Sequence, residues 1–366
     1  MNKTVYILGA GFSMSAGAPS QEKIVEKIFE IHDRNPFEFE VNSINQFVEF
    51  LTVTLNIPLH LHTKVPLEDI FTPIDRALLD NTSFRNLNTY EIKKIRNVIY
   101  YLIGKTLQVI LRTSNKDYID YFAEYMVKQC SIRAKNKYRD HDVISVISTN
   151  WDILLDNSIK CILDRDHSDP KGVVDYCCYI SSYNKDDETI KPGLEVLGAG
   201  GFNVKLLKLH GSLNWLQCPR CQRLYVHFHQ KISVDTNDTC RHCNKNFEYL
   251  ASHKLSSNLI MPTFLKDLSN PQYKLIWQNA GIELSEAEKI VFIGYSLPSA
   301  DFEMRQLLSR MVRDNATIDV VDYGEEQSEV IKNMKMRYKT FFGNRNIDFH
   351  LGGAKKYIEE NLNAGH

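Results

Sequence analysis

Residues 4–11 read Thr4-Val-Tyr-Ile-Leu-Gly-Ala-Gly11, and this stretch decides the fold class. Thr4 to Leu8 has the composition of a short buried strand, and Gly9-Ala-Gly11 is the turn after it. Apolar residues between Ile24 and Ile31 then recur at helical spacing. A strand, a glycine turn and a helix in this order are typical of the first unit of a parallel α/β sheet.

Four later apolar runs repeat this pattern, and each ends in residues that can do chemistry. The runs are Val143 to Ser148, Val204 to Leu209, Lys289 to Ile293 and Thr317 to Val321. They end at Thr149-Asn-Trp-Asp152, His210-Gly-Ser212, Gly294-Tyr-Ser296 and Asp322, in that order. Because ligands of open α/β sheets bind beyond the carboxyl ends of the strands, we expect these segments to line one crevice. The sequence predicts an α/β fold with a Rossmann-like, doubly wound parallel sheet.

The composition is ordinary for a soluble globular chain, with 366 residues, 43% hydrophobic and 24% charged. This excludes collagen-like, largely disordered and membrane-embedded proteins. Lys and Arg number 44 and Asp and Glu 45, so the net charge of -1 gives no overall basic field for nucleic acid. No apolar run approaches the ~20 residues that span a bilayer, and the run after Val5 is too short for a signal peptide. We therefore expect a cytoplasmic protein without membrane contact.

Four of the eight cysteines follow a metal-binding pattern. Two C-x2-C pairs, with eighteen residues between them, are formed by Cys218, Cys221, Cys240 and Cys243. In a reducing compartment this spacing predicts one tetrahedral Zn²⁺ on four thiolates, with disulfides as the alternative. Four sulfurs close the coordination shell, so the ion is expected to be structural and to hold a small lobe at 215–250.

The region from 36 to 140 differs from the rest because it carries little strand signal. Its apolar residues recur at helical spacing, for instance at Ile92, Ile95 and Ile99 and again at Tyr118, Phe122 and Met126. We therefore expect a mostly helical insertion or cap at 36–140. Residues 1–35 and 141–366 then form the nucleotide-binding domain that carries the zinc-ribbon lobe.

The first glycine turn favours phosphate binding but disfavours two common kinds of nucleotide-binding site, the dehydrogenase fingerprint and the P-loop. Glycines there let a pyrophosphate approach the backbone and the start of a helix, although a tight turn without a ligand explains them as well. The dehydrogenase fingerprint needs a third glycine where Met14 stands, and no Lys follows the turn as in a P-loop. Hydride transfer and P-loop ATP hydrolysis are therefore disfavoured.

Asn150, Asp152 and His210 are the candidate catalytic residues. Asn150 and Asp152 could equally cap the helix that follows them, and His210 could be a core histidine. Histidine is also the usual side chain for moving a proton near neutral pH. An amide, a carboxylate and an imidazole beside a phosphate-binding turn could cleave a glycosidic bond of a dinucleotide, with neutral nicotinamide as the leaving group.

These motifs, taken in order, resemble those of the sirtuins. Gly9-Ala-Gly-Phe-Ser-Met-Ser-Ala-Gly-Ala-Pro19 looks like the sirtuin opening G-A-G-x-S followed by G-[IA]-P, and Thr149-Asn-Trp-Asp152 looks like Q-N-x-D. His210-Gly211 followed by two C-x2-C pairs is the sirtuin order of catalytic histidine and zinc ribbon. Gly294-Tyr-Ser-Leu-Pro298 resembles the late G-x-S turn of the family.

Two segments are more similar still to the bacterial sirtuin-like branch of anti-phage defence. They are Lys208-Leu-His-Gly-Ser-Leu-Asn-Trp215 and Ile293-Gly-Tyr-Ser-Leu-Pro-Ser-Ala-Asp301. The resemblance covers residues 1–20 and 143–325 and leaves 36–140 unexplained.

The resemblance implies a role for each matching residue. The diphosphate would bind at Gly9, Ala10, Gly11 and Ser13. Asn150, which follows Thr149 in the nucleotide site, would hold the nicotinamide ribose or the attacking water. Asp152 would recognise the carboxamide, and His210 would act as the base. Phosphate or the adenosine side would be contacted by Gly294, Ser296 and Asp322.

Departures from the sirtuin pattern decide between activities. Ser20-Gln21 stands where the family has Phe-Arg, and Thr149 replaces the Gln before Asn. The F-G-E segment that pairs an acyl-lysine peptide is replaced by Leu259-Ile-Met-Pro-Thr263. The first hypothesis is therefore an NAD⁺ hydrolase that releases ADP-ribose and nicotinamide as a regulated, NAD-depleting effector of anti-phage defence. Alternatives are a protein deacylase or ADP-ribosyltransferase, and a nucleotide sensor without turnover.

Restraint of such an enzyme requires partners or internal contacts, since unchecked hydrolysis would kill the host. We expect restraint by the helical region, by homo-oligomer assembly, or by an ATPase or other sensor subunit. A zinc-ribbon nucleic-acid binder is a further alternative, because cations surround the cysteines. These cations are Arg220, Arg223, Lys231, Arg241 and Lys245.

Overall fold

The computed structural model describes residues 3–135, 142–165, 171–227, 238–247, 253–261, 266 and 268–362. Lys231, one of the cations near the cysteines, lies outside the described residues. The strands are β1 (Thr4–Leu8), β2 (Ile144–Ser148), β3 (Gly172–Asp175), β4 (Ile180–Ser182), β5 (Phe202–Lys208), β6 (Gly211–Gln217), β7 (Leu224–Val226), β8 (Ser256–Leu259), β9 (Lys289–Ile293), β10 (Thr317–Val321) and β11 (Ile347–His350).

The helices lie between and around these strands. They are α1 (Ala10–Met14), α2 (Ile24–Arg34), α3 (Ser43–Glu49), α4 (Leu67–Leu79), α5 (Thr89–Ile110), α6 (Asp117–Lys135), α7 (Leu154–Arg165), α8 (Gly193–Leu197), α9 (Arg241–Asn246), α10 (Pro271–Glu286), α11 (Phe302–Met311), α12 (Glu329–Phe342) and α13 (Gly353–Asn361). Among the residues described, no helix combines the length and apolar character needed to cross a membrane.

Seven parallel strands form the main sheet in the order β11-β10-β9-β1-β2-β5-β3. The chain leaves β1 toward β2 on one side and returns later to place β9 on the other. The boundary between β1 and β9 is therefore the switch point of the sheet, where open α/β sheets bind ligands. Helices cover the sheet, and the prediction of a doubly wound parallel α/β fold is confirmed.

The strand predictions hold closely where the apolar runs are continuous. β1, β9 and β10 have the predicted bounds, and β2 begins at Ile144 in place of Val143. β5 runs from Phe202 to Lys208 in place of Val204 to Leu209. These central strands are buried on both faces, which is why they read as unbroken apolar runs.

A second hydrophobic core lies in the helical part of the chain. Its buried residues come from the stretch between Ile24 and Leu107, joined by Trp151, Leu259 and Met261. α6 differs from the other helices in this region, because its buried face packs with the core of the main sheet and against α7. The helical core therefore reaches the carboxyl end of β2 directly through Trp151.

The smaller sheet has the order β4-β7-β6-β8 and carries the cysteines. β6 pairs antiparallel with β7 and β8. β6 begins at Gly211, directly after His210, so a connection of two residues joins this sheet to the end of β5. A small separate cluster of buried residues surrounds the sulfurs, and it includes Leu216, Tyr225 and Leu255.

Candidate active site

Two glycine turns pack against each other at the switch point. The amide of Gly9 donates to the Ile293 carbonyl at 3.0 Å, and that of Gly11 donates to the Gly294 carbonyl at 3.0 Å. A Cβ on Gly9 would lie 2.5 Å from the Gly294 oxygen, and one on Gly11 would lie 2.6 Å from the Gly294 Cα. Gly294 itself has a φ of +61°. These glycines are therefore required for turn-on-turn packing, whatever ligand the crevice takes.

Asn150 lies at the end of β2, beside the first glycine turn. Its side-chain amide donates to the Gly9 carbonyl at 2.8 Å. Thr149 is held by the same strand end, with both its amide and its hydroxyl donating to the Leu8 carbonyl, at 3.0 and 3.2 Å. Both residues are partly exposed, so they lie at the carboxyl edge of the sheet and outside the packed core.

Asp152 joins two helix starts. One carboxylate oxygen accepts from the Ser13 hydroxyl at 2.8 Å, and the other accepts from the Leu154 amide at 3.2 Å. The second bond is a cap on α7, so the capping interpretation of Asp152 is correct, and each oxygen retains a further lone pair. Burial raises the pKa of this carboxyl, while Lys208 and the Ser13 hydroxyl oppose the rise.

His210 follows β5, next to the end of β2. Its Nδ1 lies 3.2 Å from the Thr149 carbonyl oxygen. Because a carbonyl oxygen only accepts, Nδ1 carries the proton of the neutral ring and the lone pair is on Nε2. The imidazole therefore contacts the main chain of the residue just before Asn150. His210 is only 6% exposed, and its Nε2 is buried without a hydrogen-bond partner.

Asp301 and Lys266 cover the buried face of the imidazole. Asp301 Oδ1 is 3.6 Å from His210 Nε2 and 2.6 Å from Lys266 Nζ. Asp301 also accepts from the Tyr295 hydroxyl at 2.8 Å, and Lys266 pairs with Glu303 at 2.7 Å. Burial alone would raise the pKa of Asp301, but His210 in its protonated form and Lys266 outweigh burial and hold that pKa well below its ordinary value.

No catalytic or binding role was predicted for Asp301 or Lys266 from the sequence. Asp301 ends the motif Ile293-Gly-Tyr-Ser-Leu-Pro-Ser-Ala-Asp301, and its place in this motif was the signal that could have identified it. Lys266 carried none, because a single lysine after an apolar segment has no distinctive spacing.

Ser296 and Asp322 extend the crevice along the sheet on the other side of the switch point. Ser296 follows β9 and is exposed, and Asp322 follows β10 and is partly exposed. The Asp322 carboxylate accepts from the Tyr323 amide at 2.8 Å, and burial raises its pKa. The residues chosen from the sequence thus lie at the ends of five adjacent strands, β10-β9-β1-β2-β5.

The four cysteines converge as a metal site would require. All four Sγ atoms lie within 4.8 Å of one another, with separations of 3.7 Å for Cys218 to Cys243 and 3.6 Å for Cys221 to Cys240. A tetrahedron of thiolates at about 2.3 Å from Zn²⁺ has sulfurs about 3.8 Å apart. All eight cysteines of the chain are free. The donor set therefore fits a closed tetrahedral ion, and the disulfide alternative is not realised.

Two of the cations around the cysteines have structural contacts. Arg220 lies over the ring of Phe247, with 4.0 Å from the guanidinium carbon to the ring centroid. Arg241 donates to the main-chain oxygens of Ser182 and Tyr183 at 2.8 and 2.6 Å. Such contacts explain these arginines through packing, without a nucleic-acid ligand.

A large open cavity of about 1170 Å³ lies elsewhere, and none of the candidate site residues lines it. Its charged groups pair with each other, as in Lys160 with Asp187 at 3.1 Å and Lys171 with Glu188 at 3.6 Å. Cations that are already neutralised leave no free charge for an anionic ligand. The chemistry of the strand ends and this cavity are therefore separate features.

Comparison with solved structures finds sirtuins among the similar chains. No protein-family model matches the sequence, and a search of curated proteins gives no match. Among solved structures, Sir2Tm bound to a propionylated peptide is similar over 98% of this chain and 90% of that chain, with 13% identity and a TM-score of 0.38. Sir2 with a p53 peptide and NAD⁺ is similar over the same shares, with 14% identity and a TM-score of 0.37. Likeness at this level leaves the function of this chain to be inferred from its own residues.

Proposed function

We propose that the protein is an NAD⁺ hydrolase that cleaves the bond between nicotinamide and ribose. The single observation that carries this proposal is that the Asn150 amide contacts the Gly9 carbonyl at the end of β1, while the His210 imidazole contacts the carbonyl of Thr149, the residue just before Asn150. One side chain supplies an amide for orienting a hydroxyl or water, and the other supplies a nitrogen lone pair. The sirtuin resemblance of the motifs supports the same substrate.

The reaction balances with water as the only co-reactant. Water attacks the anomeric carbon of the ribose as the bond to the pyridinium nitrogen breaks. Nicotinamide leaves as a neutral molecule, and the proton of the attacking water goes to Nε2 of His210. Asn150 orients the water or the ribose hydroxyl, and Asp152 accepts from the carboxamide of nicotinamide through its remaining lone pairs. The products are ADP-ribose and nicotinamide.

The length of the crevice supports a dinucleotide. From Asp322 to His210 it crosses four gaps between neighbouring strands, about 19 Å at the usual spacing. Ser296 and Asp322 would take the adenosine end, and Asn150 and His210 the nicotinamide end. Between them, Ala10 is the residue of the first turn whose contact with the diphosphate we propose, since it is exposed. The amides of Gly9 and Gly11 already have partners, and Ser13 is buried with its hydroxyl on Asp152.

The region that would pair a peptide substrate is occupied by the protein itself. Tyr100 from α5 donates to the Leu259 carbonyl at 2.9 Å, and Trp151 donates to the Ile260 carbonyl at 3.1 Å. The Ile260 amide donates to the His210 carbonyl at 3.0 Å. These main-chain groups cannot pair with an acyl-lysine peptide while they hold these partners. This observation favours hydrolysis over the alternative of a protein deacylase or ADP-ribosyltransferase.

We further propose that this arrangement is the resting state of a regulated enzyme. The lone pair of His210 Nε2 is covered by Asp301 and Lys266, so these groups must withdraw before water and substrate reach it. The helical region, which shares its core with Trp151, is placed to control this change. Homo-oligomer assembly or an ATPase-type sensor subunit would supply the trigger, in an NAD-depleting, cytoplasmic response to phage infection.

The zinc lobe has a structural role in this proposal. Four thiolates leave no open coordination position for water, so the ion would not take part in hydrolysis. It would fix β6, which begins directly after His210, and so hold the imidazole in place.

The test measures NAD⁺ binding by calorimetry and nicotinamide release by chromatography, with NAD⁺ alone and then with an acyl-lysine peptide added. Wild-type protein should bind NAD⁺, and cells expressing it should lose NAD⁺ on phage challenge. Asn150→Ala and His210→Ala should abolish release while the thermal midpoint stays near that of wild type. Unchanged turnover in both variants would refute the mechanism. Release that strictly requires the peptide would favour the deacylase, and binding without turnover in challenged cells would favour the sensor.

A further inference from the structure

Lys208 is a buried cation directly behind the proposed site. It lies at the end of β5, two residues before His210, and it is 1% exposed. Its Nζ donates to the main-chain carbonyl of Asp152 at 2.5 Å and to the Asp156 carboxylate at 3.0 Å. Asp156, 2% exposed, also accepts from the Tyr176 hydroxyl at 2.8 Å.

A buried ion pair needs an explanation beyond stability. Taking two charges out of water costs several kcal/mol per ion, and apolar residues of similar volume often serve a core as well or better. Here one ammonium joins the strand that carries His210 to the turn that carries Asn150. The two residues of the proposed catalytic pair come from different strands, so their separation depends on contacts of this kind.

We propose that Lys208 is a positioning residue that clamps the turn 149–152 against the end of β5 and so fixes where Asn150 and Asp152 meet nicotinamide. This inference rests on the proposed function. The clamp follows from the contact with the Asp152 carbonyl, which holds the main chain two residues after Asn150. The same ammonium lowers the pKa of the Asp152 carboxyl, which burial raises.

The groups around Asp152 show why the cation matters. Ser13 from α1 and the Leu154 amide donate to the carboxylate, whereas Asp156 from α7 adds a second negative charge. Tyr118 from α6 faces the same region, and burial together with Asp152 raises the pKa of its hydroxyl. Burial is the largest influence on Asp152 and raises its pKa, and Lys208 is the largest influence that lowers it. Without Lys208, Asp152 would take up a proton at a higher pH.

The experiment removes both charges together, because Lys208→Met alone would leave Asp156 buried without its cation. The test protein is the full chain with Lys208→Met and Asp156→Asn. Lys208→Arg keeps the charge and serves as the conservative variant. The control is Lys205→Met with Glu283→Gln, which removes another ion pair of β5, together with the pairs of Lys205 with Asp142 and of Glu283 with Lys3. Hydrogen exchange of residues 150–154, NAD⁺ affinity and nicotinamide release from pH 5 to 9 are measured in each, with ~0.5 pH steps across the acid limb.

In the protein with Lys208→Met and Asp156→Asn, we expect faster hydrogen exchange at residues 150–154. We also expect NAD⁺ affinity and the rate of nicotinamide release to fall by about tenfold to a hundredfold. Its acid limb should move to higher pH, because Lys208 lowers the pKa of Asp152 more than Asp156 raises it, and Lys208→Arg should keep the limb of wild type. An unchanged limb with unchanged affinity, or an equal shift in the Lys205 control, would overturn the inference. If wild-type protein fails to bind NAD⁺, the proposed function falls, and the exchange rates at 150–154 still decide whether Lys208 is a clamp.

Discussion

Replacing Gly294 with alanine tests the packing of the two glycine turns at the switch point. Two separate costs meet at this position. The φ of +61° is one that an L-residue adopts at a cost of about 1–2 kcal/mol. The added Cβ would also lie closer than 3.0 Å to main-chain atoms of Gly11 and Phe12, and overpacking of this kind costs about 1–3 kcal/mol. We therefore expect Gly294→Ala to lower the free energy of unfolding by about 2–5 kcal/mol.

Two matched variants separate these costs. A Cβ on Gly343, at a φ of +65° and a ψ of −130°, would meet nothing within 4 Å, so Gly343→Ala reports the cost of a positive φ without a contact. Gly11 lies in α1, without a positive φ, and a Cβ there would lie 2.6 Å from the Gly294 Cα, so Gly11→Ala reports the contact alone. All three replacements restrict the unfolded chain in the same way, so this effect cancels in the comparison.

Urea unfolding followed by tryptophan fluorescence is a suitable assay. The three tryptophans are Trp151, Trp215 and Trp277, and each is at most 9% exposed, so all report on the folded core. The loss for Gly294→Ala should approach the sum of the losses for the other two variants. Equal losses for Gly294→Ala and Gly343→Ala would show that the two turns are not in the close contact described here. NAD⁺ binding should weaken in Gly294→Ala and Gly11→Ala and stay unchanged in Gly343→Ala.

Three further changes give expected outcomes. Cys218→Ser should reduce the zinc content measured by elemental analysis and lower the thermal midpoint, and a variant with full metal and an unchanged midpoint would contradict a structural ion. Asp301→Asn leaves the buried Lys266 with Glu303 as its remaining carboxylate, so we expect a loss of about 3 kcal/mol at pH 7. Because the folded protein lowers the pKa of Asp301, that contribution is full above the ordinary carboxyl pKa of about 3.9 and is lost as the pH falls below it. Urea unfolding at pH 7 and pH 3 should show the deficit shrinking, and a constant deficit would exclude the ion pair. Tyr100→Phe removes a buried donor to the Leu259 carbonyl and should cost about 1–2 kcal/mol by the same assay, with the exposed Tyr90→Phe as the control without effect.

The strand ends could be predicted from the sequence, because parallel strands buried on both faces appear as unbroken apolar runs. Thr4–Leu8, Lys289–Ile293 and Thr317–Val321 are apolar runs that stop at a glycine or an acid. The pair of C-x2-C motifs is equally local, since each motif places two sulfurs on one turn. β3 and β11 gave weaker signals because they are short edge strands of the sheet, and β11 is partly exposed.

The tertiary structure decided which of these local features meet. It placed β9 beside β1, which brings Gly294 against Gly11, and it packed α6 on the main sheet apart from the other helices of its region. It also brought Lys208 to Asp152, and Asp301 and Lys266 to His210, across long separations along the chain. Periodicity and spacing in the sequence carry information only about the local environment of a residue, in its own helix or strand and the next few along the chain. The pairing of distant buried charges is instead set by strand order and by the need of each buried charge for a partner, and neither is written in any local pattern.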